Sequence, residues 1–252
     1  MLDSHTVPKD SWGVWPYWRI AGFSVPMYSV CVAVAIATGV TLYLREVRKQ
    51  GGSRENSLTI LLASLVGGVI GAKLPYLLWN VSEFLKGVRD PEILFSGRTI
   101  LGGLLGGTLA VRLVKRRLGI RTRKGDYLVP GIALGIAIGR VGCFLRGCCY
   151  GTATALPWGV DFGDGVRRHP TELYEAALCL GWFFYSRTQL KTDTGIQFDR
   201  FLAAYFTLRF LMEFIRTEPA VFLGLTAFQL VCVPVVAWIG FRLWKPLPQW
   251  KT

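Results

Sequence analysis

The chain has 252 residues, of which 52% are hydrophobic, and its mean hydropathy is +0.38. With its repeated long apolar runs, this composition excludes an ordinary soluble domain and indicates a polytopic membrane protein. The formal net charge is +13, from 29 Lys and Arg residues against 16 Asp and Glu residues. In such a chain the excess charge indicates basic cytoplasmic loops and contact with anionic lipid, so we predict no nucleic-acid partner.

The amino-terminal residues predict a segment that lies at the membrane surface. The first twenty residues lack the basic start and apolar core of a cleavable signal peptide, and they contain the aromatic run SWGVWPYWRI. We therefore predict that residues 1–22 lie in the interface on the periplasmic side. Seven apolar segments follow, and we predict an all-α protein in which residues 1–252 form one domain of seven transmembrane helices. The predicted segments are Phe23–Leu44, Ser57–Trp79, Thr99–Val114, Tyr127–Leu145, Glu172–Tyr185, Phe201–Phe214 and Val221–Trp244.

The positions of Lys and Arg in the connections predict the orientation. Most of these residues face the cytoplasm when the N-terminus is outside and the C-terminus is inside, as the positive-inside rule favours. The third connection, which follows Thr99–Val114, is the most basic. The end of the fourth segment then lies at the outer face, in the periplasm if the cell has two membranes.

The most unusual stretch is GRVGCFLRGCCYG, residues 139–151. It places Arg140 at the end of an apolar run, where a guanidinium costs roughly 3 kcal/mol and usually faces a polar cavity or an anion. Gly142 and Gly151 remove side chains from this helix and its exit, so that a neighbouring helix or a lipid head group can approach the backbone. We therefore expect a site for a phosphorylated group here.

Three cysteines in this stretch, Cys143, Cys148 and Cys149, lie outside a purely apolar setting. Their C-x4-C-C spacing matches no common zinc pattern, and the chain has two histidines, so we predict no metal site. A thiol-redox role for these three cysteines is an alternative.

Further charged candidates lie in or directly beside the fifth and sixth segments. Arg209, Glu213 and Arg216 share one helical face, which predicts either a structural ion pair or a positive stripe that binds an anion. His169, in RRHPTELYE, is either a general base or a polar residue at a helix entry.

Two glycine-rich stretches, VGGVIG at residues 66–71 and LGGLLGG at residues 101–107, have small-xxx-small spacing. This spacing predicts close helix packing, with close approach to lipid as the alternative.

These motifs together resemble the prolipoprotein diacylglyceryl transferase family, whose members transfer diacylglycerol from phosphatidylglycerol to the lipobox cysteine of bacterial prolipoproteins. The resemblance spans almost the whole chain, and its most specific parts are GRVGCFLRGCCYG, RHPTELYE and YFTLRFLMEFIRTEP. The matching positions are Tyr28, Asp126, Arg140, Gly142, Gly151, Tyr205 and Arg209, with Glu213 and Arg216 in register after them.

The chain also departs from the family pattern. Leu101 stands where the family usually has a histidine before two glycines, and Cys143 and Cys148 replace an asparagine and an acidic residue of the signature. Val69 replaces a usual arginine, although Lys73 on the same helical face could supply that charge.

The resemblance implies a phosphatidylglycerol–prolipoprotein diacylglyceryl transferase of the bacterial inner membrane that needs no cofactor. Its partners would be phosphatidylglycerol, other membrane lipids and a prolipoprotein signal peptide with its lipobox cysteine. The alternative is a lipid- or lipopeptide-binding paralogue without turnover or with altered specificity. Implied catalytic residues are Arg140, Arg209, Tyr205 and His169, and implied substrate-binding residues are Tyr28, Lys73, Gly102, Gly103, Gly142, Gly151, Glu213 and Arg216.

Overall fold

The structure is a computed structural model that describes residues 12–20, 23–51, 53–79, 81, 97–120, 124–189 and 195–244. These residues are mostly helical and divide between two compact units, one made of Met1–Tyr43 and Arg123–Thr252 and the other of Leu44–Thr122. The helices of the described ranges are α1 (Met27–Lys49), α2 (Arg54–Trp79), α3 (Ile100–Arg117), α4 (Val129–Arg146), α5 (Thr171–Thr188), α6 (Ile196–Met212) and α7 (Ala227–Trp244).

Four stretches of the described residues are long and apolar enough to cross a membrane: Met27–Lys49, Arg54–Leu78, Gly125–Arg146 and Ala227–Trp244. They correspond to α1, α2, α4 and α7, which confirms a membrane protein built mainly of helices. Short antiparallel strand pairs lie in the connections. They are β1 (Tyr17–Ile20) with β2 (Phe23–Pro26), β3 (Val160–Asp161) with β4 (Arg167–Arg168), and β5 (Ala220–Phe222) with β6 (Leu225–Thr226).

In the unit Leu44–Thr122, α2 packs on α3 through the two glycine-rich stretches. A Cβ atom added at Gly71 would lie 2.7 Å from Gly106 Cα, and one added at Gly67 would lie 2.7 Å from Gly106 O. Real Cβ atoms do not approach other atoms so closely, so glycine is what lets the two backbones touch. The predicted helix packing is therefore confirmed.

The start of α3 is fixed by Thr99. Its side chain accepts a hydrogen bond from Gly102 N at 3.2 Å, and its own backbone N–H donates to Ala72 O at 2.9 Å. The first contact satisfies an amide that the helix leaves unpaired, and the second joins α3 to α2. Leu101, one residue into the helix, is only 4% exposed.

In the other unit, α1 runs antiparallel to α4 along a face of small residues. A Cβ atom on Gly131 would lie 2.7 Å from Gly39 O, and one on Gly142 would lie 2.7 Å from Cys31 Cβ. These close approaches run the length of α4 and bring the first residues of α1 to its carboxyl end.

Helix α6 receives its amino-terminal cap from a residue distant in the sequence. Both carboxylate oxygens of the fully buried Asp126 accept backbone hydrogen bonds, Oδ2 from Gly195 N at 2.8 Å and Oδ1 from Phe198 N at 2.9 Å. The negative charge of Asp126 also interacts favourably with the positive end of the helix dipole. At the same end of α6, Asp199 pairs with Arg242 of α7 at 3.0 Å.

Helix α7 begins six residues later than the sequence interpretation placed it. Thr226 and Gln229 form a capping box, in which Gln229 N donates to Thr226 Oγ1 at 3.2 Å and Thr226 N donates to Gln229 Oε1 at 2.9 Å. The predicted start at Val221 was wrong, because residues before this box form β5 and β6. The predicted start of the first segment at Phe23 was also early, since Phe23–Pro26 is a strand.

Candidate active site

The centre of the site is one carboxylate shared by two guanidinium groups. Glu175 of α5 is fully buried, and its Oε2 lies 2.6 Å from Nη2 of Arg140 on α4. Its Oε1 lies 3.5 Å from Nη1 of Arg209 on α6. Both arginines are themselves buried, at 6% and 4% exposure. The structure therefore brings together two arginines that were predicted from the sequence as site residues. The carboxylate between them was not among the predicted site residues.

Two further groups complete the contacts of Arg209 and Glu175. Tyr205, one turn before Arg209, donates its hydroxyl to Glu175 Oε2 at 3.1 Å. Glu213, one turn after Arg209, places Oε2 at 2.9 Å from Arg209 Nη2, as the i,i+4 spacing predicts. That ion pair lacks hydrogen-bond geometry, and both Glu213 oxygens are buried without a hydrogen-bond partner. Both terminal nitrogens of Arg209 thus face carboxylates.

Arg216 joins the cluster to the chain after α4. Its Nη1 donates to Cys149 O at 2.8 Å, and its Nη2 lies 3.6 Å from the partly exposed Glu218. The Nε atoms of Arg216 and of Arg140 are both buried without a hydrogen-bond partner in the described protein. A buried donor on a charged group without an acceptor is costly, so these two N–H groups indicate a place for an anionic ligand.

Glu172, at the start of α5, is a second unpaired group. It is fully buried, and neither carboxylate oxygen has a hydrogen-bond partner among the described residues. Its neighbour Thr171 donates its hydroxyl to Cys149 O at 2.6 Å, which places the start of α5 beside the end of α4. Because a buried carboxylate without a donor is costly, Glu172 is a candidate acceptor of a hydrogen bond or a proton.

The three cysteines of the signature form a cluster. The Sγ atoms of Cys143, Cys148 and Cys149 all lie within 4.8 Å of one another, and all three thiols are free. Hydrogen bonds from the other two thiols, assisted by the positive charge of Arg216 and Arg140, lower the pKa of Cys149 well below its usual value. The spacing in sequence gave no indication of this proximity.

His169 lies in the connection between α4 and α5. Its Nδ1 is 3.3 Å from the hydroxyl of Tyr174, which also accepts a hydrogen bond from Trp158 Nε1 at 2.8 Å. When the Tyr174 hydroxyl donates to Nδ1, the imidazole carries its proton on Nε2 and has no free lone pair to accept another. Among the described residues, no side-chain hydrogen bond or ion pair joins His169 to Glu175 or to the buried arginines.

The two arginines before His169 have partners of their own. Arg167 donates to Gly159 O and Pro157 O at 3.1 Å and 2.6 Å. Arg168 pairs with Asp164 at 2.6 Å, and its guanidinium lowers the pKa of that exposed carboxyl to about 2. Both guanidinium groups therefore stabilise the loop 157–168.

Other predicted site residues lie at the carboxyl end of α4. The Arg146 guanidinium lies 5.6 Å from the ring centre of Tyr28, and Gly142 permits the approach of α1 at this level. Gly151 has its amide bonded to His169 O at 2.8 Å, and a Cβ atom there would lie 2.9 Å from His169 Cβ. The contacts of both glycines with protein explain their lack of a side chain; their predicted role in substrate binding stays a prediction.

The remaining candidates, Lys73, Gly102 and Gly103, belong to the unit Leu44–Thr122. Lys73 Nζ lies 4.6 Å from the ring centre of Tyr76, and Gly102 and Gly103 face α2. Leu101, at the position where the family usually has a histidine, is only 4% exposed. These contacts are structural, and substrate binding by Lys73 and the two glycines stays a prediction.

Fold and site together define a polytopic helical membrane protein with a buried cluster of arginines and carboxylates. Residues 16–244 match the sequence model of the family described as Prolipoprotein diacylglyceryl transferase, and the chain belongs to this family. It is 36% identical over 201 residues to the phosphatidylglycerol–prolipoprotein diacylglyceryl transferase of Nitratidesulfovibrio vulgaris, covering 72% of this chain and 74% of that one.

Two further relatives carry the same name. The protein of Vibrio vulnificus is 34% identical over 227 residues, with 83% of this chain and 80% of that one aligned. The protein of Clostridium tetani is 30% identical over 210 residues, with 80% of this chain and 84% of that one aligned. The resemblance stated from the motifs is thereby confirmed.

Proposed function

We propose that this protein transfers the diacylglyceryl group of phosphatidylglycerol to the lipobox cysteine thiol of prolipoproteins and forms a thioether. The observation that carries the proposal is the pair of buried Nε–H groups on Arg140 and Arg216 that have no hydrogen-bond acceptor among the described residues, in a chain of the transferase family. Guanidinium groups held in such a fixed arrangement can stabilise charge on a phosphate without reorganising during the reaction.

The reaction requires a place for negative charge and a destination for one proton. The acceptor sulfur forms a bond to the glyceryl carbon while the bond from that carbon to the phosphate oxygen breaks. The electron pair of the broken bond leaves with glycerol phosphate, and the thiol proton passes to an acceptor. The protein therefore needs an anion site beside a proton acceptor.

Arg140 and Arg216 fit the anion site best. Each has a buried Nε–H without an acceptor, whereas both terminal nitrogens of Arg209 already face carboxylates. We infer that the phosphate binds to Arg140 and Arg216, and that Arg209 acts by holding Glu175. Direct contact of Arg209 with the phosphate, as the motifs implied, stays a prediction.

Glu172 and His169 are the candidate proton acceptors, and thiolate formation without a base is the third possibility. Glu172 has two buried and unpaired oxygens beside the end of α4. His169 has its Nδ1 engaged by Tyr174. Since Leu101 offers no proton acceptor at the position of the family histidine, we favour Glu172.

The membrane arrangement belongs to the same proposal. We propose seven spans in one domain in the bacterial inner membrane, with residues 1–22 at the outer surface, the N-terminus outside and the C-terminus in the cytoplasm. Within that first segment, residues 1–11, 21 and 22 lie outside the described residues. The basic connections and the family support this arrangement. Reporter fusions after residue 252 that are active only in the periplasm would contradict the cytoplasmic C-terminus.

The function is tested by reconstitution. Full-length protein in vesicles with phosphatidylglycerol and a lipobox peptide should yield a peptide heavier by one diacylglyceryl group, and the chain should support growth of a strain depleted of its own transferase. Arg140→Lys should slow transfer strongly, while the matched exposed variant Arg187→Lys should not. Binding of lipid and peptide without any product would instead identify a lipid-binding paralogue.

A further inference from the structure

The three thiols after α4 come together because of the way this helix ends. Gly147 adopts a left-handed conformation, with φ of 74°, and Cys148 N donates to Cys143 O at 3.1 Å. The chain therefore turns back over the last turn of α4, and Cys143 inside the helix meets the two cysteines outside it. This reversal explains how C-x4-C-C spacing forms a cluster although it differs from common zinc patterns.

The backbone at Cys149 is held firmly in an uncommon conformation. Its φ is 72°, in the left-handed region that side chains other than glycine rarely adopt. Its carbonyl oxygen accepts two hydrogen bonds, from Thr171 Oγ1 at 2.6 Å and from Arg216 Nη1 at 2.8 Å. Contacts with Thr171 and Arg216 therefore fix the backbone of Cys149, and its side chain lies close to those of Cys143 and Cys148.

We propose that Cys143, Cys148 and Cys149 bind a thiophilic metal ion, with Zn²⁺ as the first candidate. In a tetrahedral site with zinc–sulfur bonds of about 2.3 Å, neighbouring sulfurs are about 3.8 Å apart. The observed arrangement, with all three Sγ atoms within 4.8 Å, needs only small side-chain movements to reach that geometry. A disulfide would use two of these sulfurs and leave the third unexplained.

Charge supports the same assignment. Three thiolates and one divalent ion carry a net charge of −1. The guanidinium of Arg216 donates to the carbonyl of one ligand residue, and Arg140 lies one helical turn before another. The negative charge of such a site would partly offset the positive charge of the buried arginines, and the metal would hold residues 148–149 against the last turn of α4. The proposal does not depend on the transferase reaction.

The test uses full-length protein in detergent, reduced and stripped of metal with a chelator, and then titrated with Zn²⁺ against a chromophoric competitor. Wild type should bind one Zn²⁺ per chain, and X-ray absorption should show three sulfurs at about 2.3 Å. Cys31→Ala is the matched control, because Cys31 is a partly exposed free thiol outside the cluster. It should bind like wild type, whereas Cys149→Ser should show two sulfurs and bind at least about tenfold more weakly.

A second measurement, thiol alkylation of the wild type, tests the proposal even if a cysteine variant fails to fold. In wild type, Zn²⁺ should slow alkylation of Cys143, Cys148 and Cys149 and leave that of Cys31 unchanged. Absence of Zn²⁺ binding after reduction, equal binding by Cys149→Ser, or no protection from alkylation would each overturn the proposal. A disulfide in protein purified without reductant, combined with no Zn²⁺ binding after its reduction, would identify a redox pair instead.

Discussion

Glu175→Gln is the substitution that probes the centre of the site. The glutamine keeps the volume of the side chain and one carbonyl oxygen, but it removes the negative charge that Arg140 and Arg209 share. Its amide nitrogen must replace either Oε2, which faces both Tyr205 and Arg140, or Oε1, which faces Arg209. Two buried guanidinium groups would then face each other without the charge between them.

The expected cost follows from the burial of all three charged groups. Removing one partner of a buried ion pair typically costs about 3–5 kcal/mol, since the remaining charge stays in a medium of low polarity. Glu213 still neutralises Arg209 in part, at 2.9 Å, whereas Arg140 has Glu175 as its ion-pair partner among the described residues. We therefore expect a loss of about 3 kcal/mol, with Arg140 as the group most affected.

The measurement is the free energy of unfolding in detergent, followed by tryptophan fluorescence. The control is Glu46→Gln, because Glu46 lies 3.8 Å from Lys49, whose side chain is 68% exposed. A surface ion pair of that kind contributes about 0–1 kcal/mol. Equal stability of Glu175→Gln and Glu46→Gln would refute the view that Glu175 holds the two arginines in place.

Three further substitutions test other parts of the structure. Arg140→Lys should lower the transfer rate at least about a hundredfold, because a lysine cannot offer a planar pair of donors to a phosphate. Arg187→Lys is the control. Near-normal transfer by Arg140→Lys would mean that Arg140 contributes only its positive charge. Asp126→Ala should lower the free energy of unfolding by about 1–2 kcal/mol through loss of the α6 cap, and thermal unfolding no earlier than in wild type would argue against that cap. Gly106→Ala should destabilise the protein by forcing α2 and α3 apart, whereas Gly181→Ala, with open space around it, should be neutral or stabilising by up to about 1 kcal/mol; equal melting temperatures would contradict the close packing.

Local patterns explain which features could be predicted from the sequence. The apolar runs located all the described helices, and the i,i+4 spacing placed Glu213 beside Arg209. The glycine spacing predicted close helix packing, and the structure shows this packing between α2 and α3. These features depend on residues that are close together in the chain or on a regular repeat, and the sequence shows both directly.

Features that depend on distant residues were missed. Glu175 looked like one of several acids near the outer face, and its role depends on two arginines from other helices. Asp126 matched a family position, but its function as a cap needs residues about seventy positions later. The start of α7 could have been predicted, because the sequence contains the capping box Thr226-x-x-Gln229.

The proton acceptor is the point at which sequence and structure favour different residues. His169 was the candidate from sequence, yet its Nδ1 contacts Tyr174, while Glu172 is buried with both oxygens unpaired. If Glu172 accepts the proton, Glu172→Gln should slow transfer sharply at pH 7 and recover in part as the pH approaches about 8.5, where more acceptor thiol is ionised without help. His169→Gln should then keep the wild-type pH profile, measured as product formed per unit time in the same vesicles. A slow, pH-rescued His169→Gln beside a normal Glu172→Gln would reverse the assignment, and normal profiles for both would leave thiolate stabilisation by the buried arginines as the remaining route.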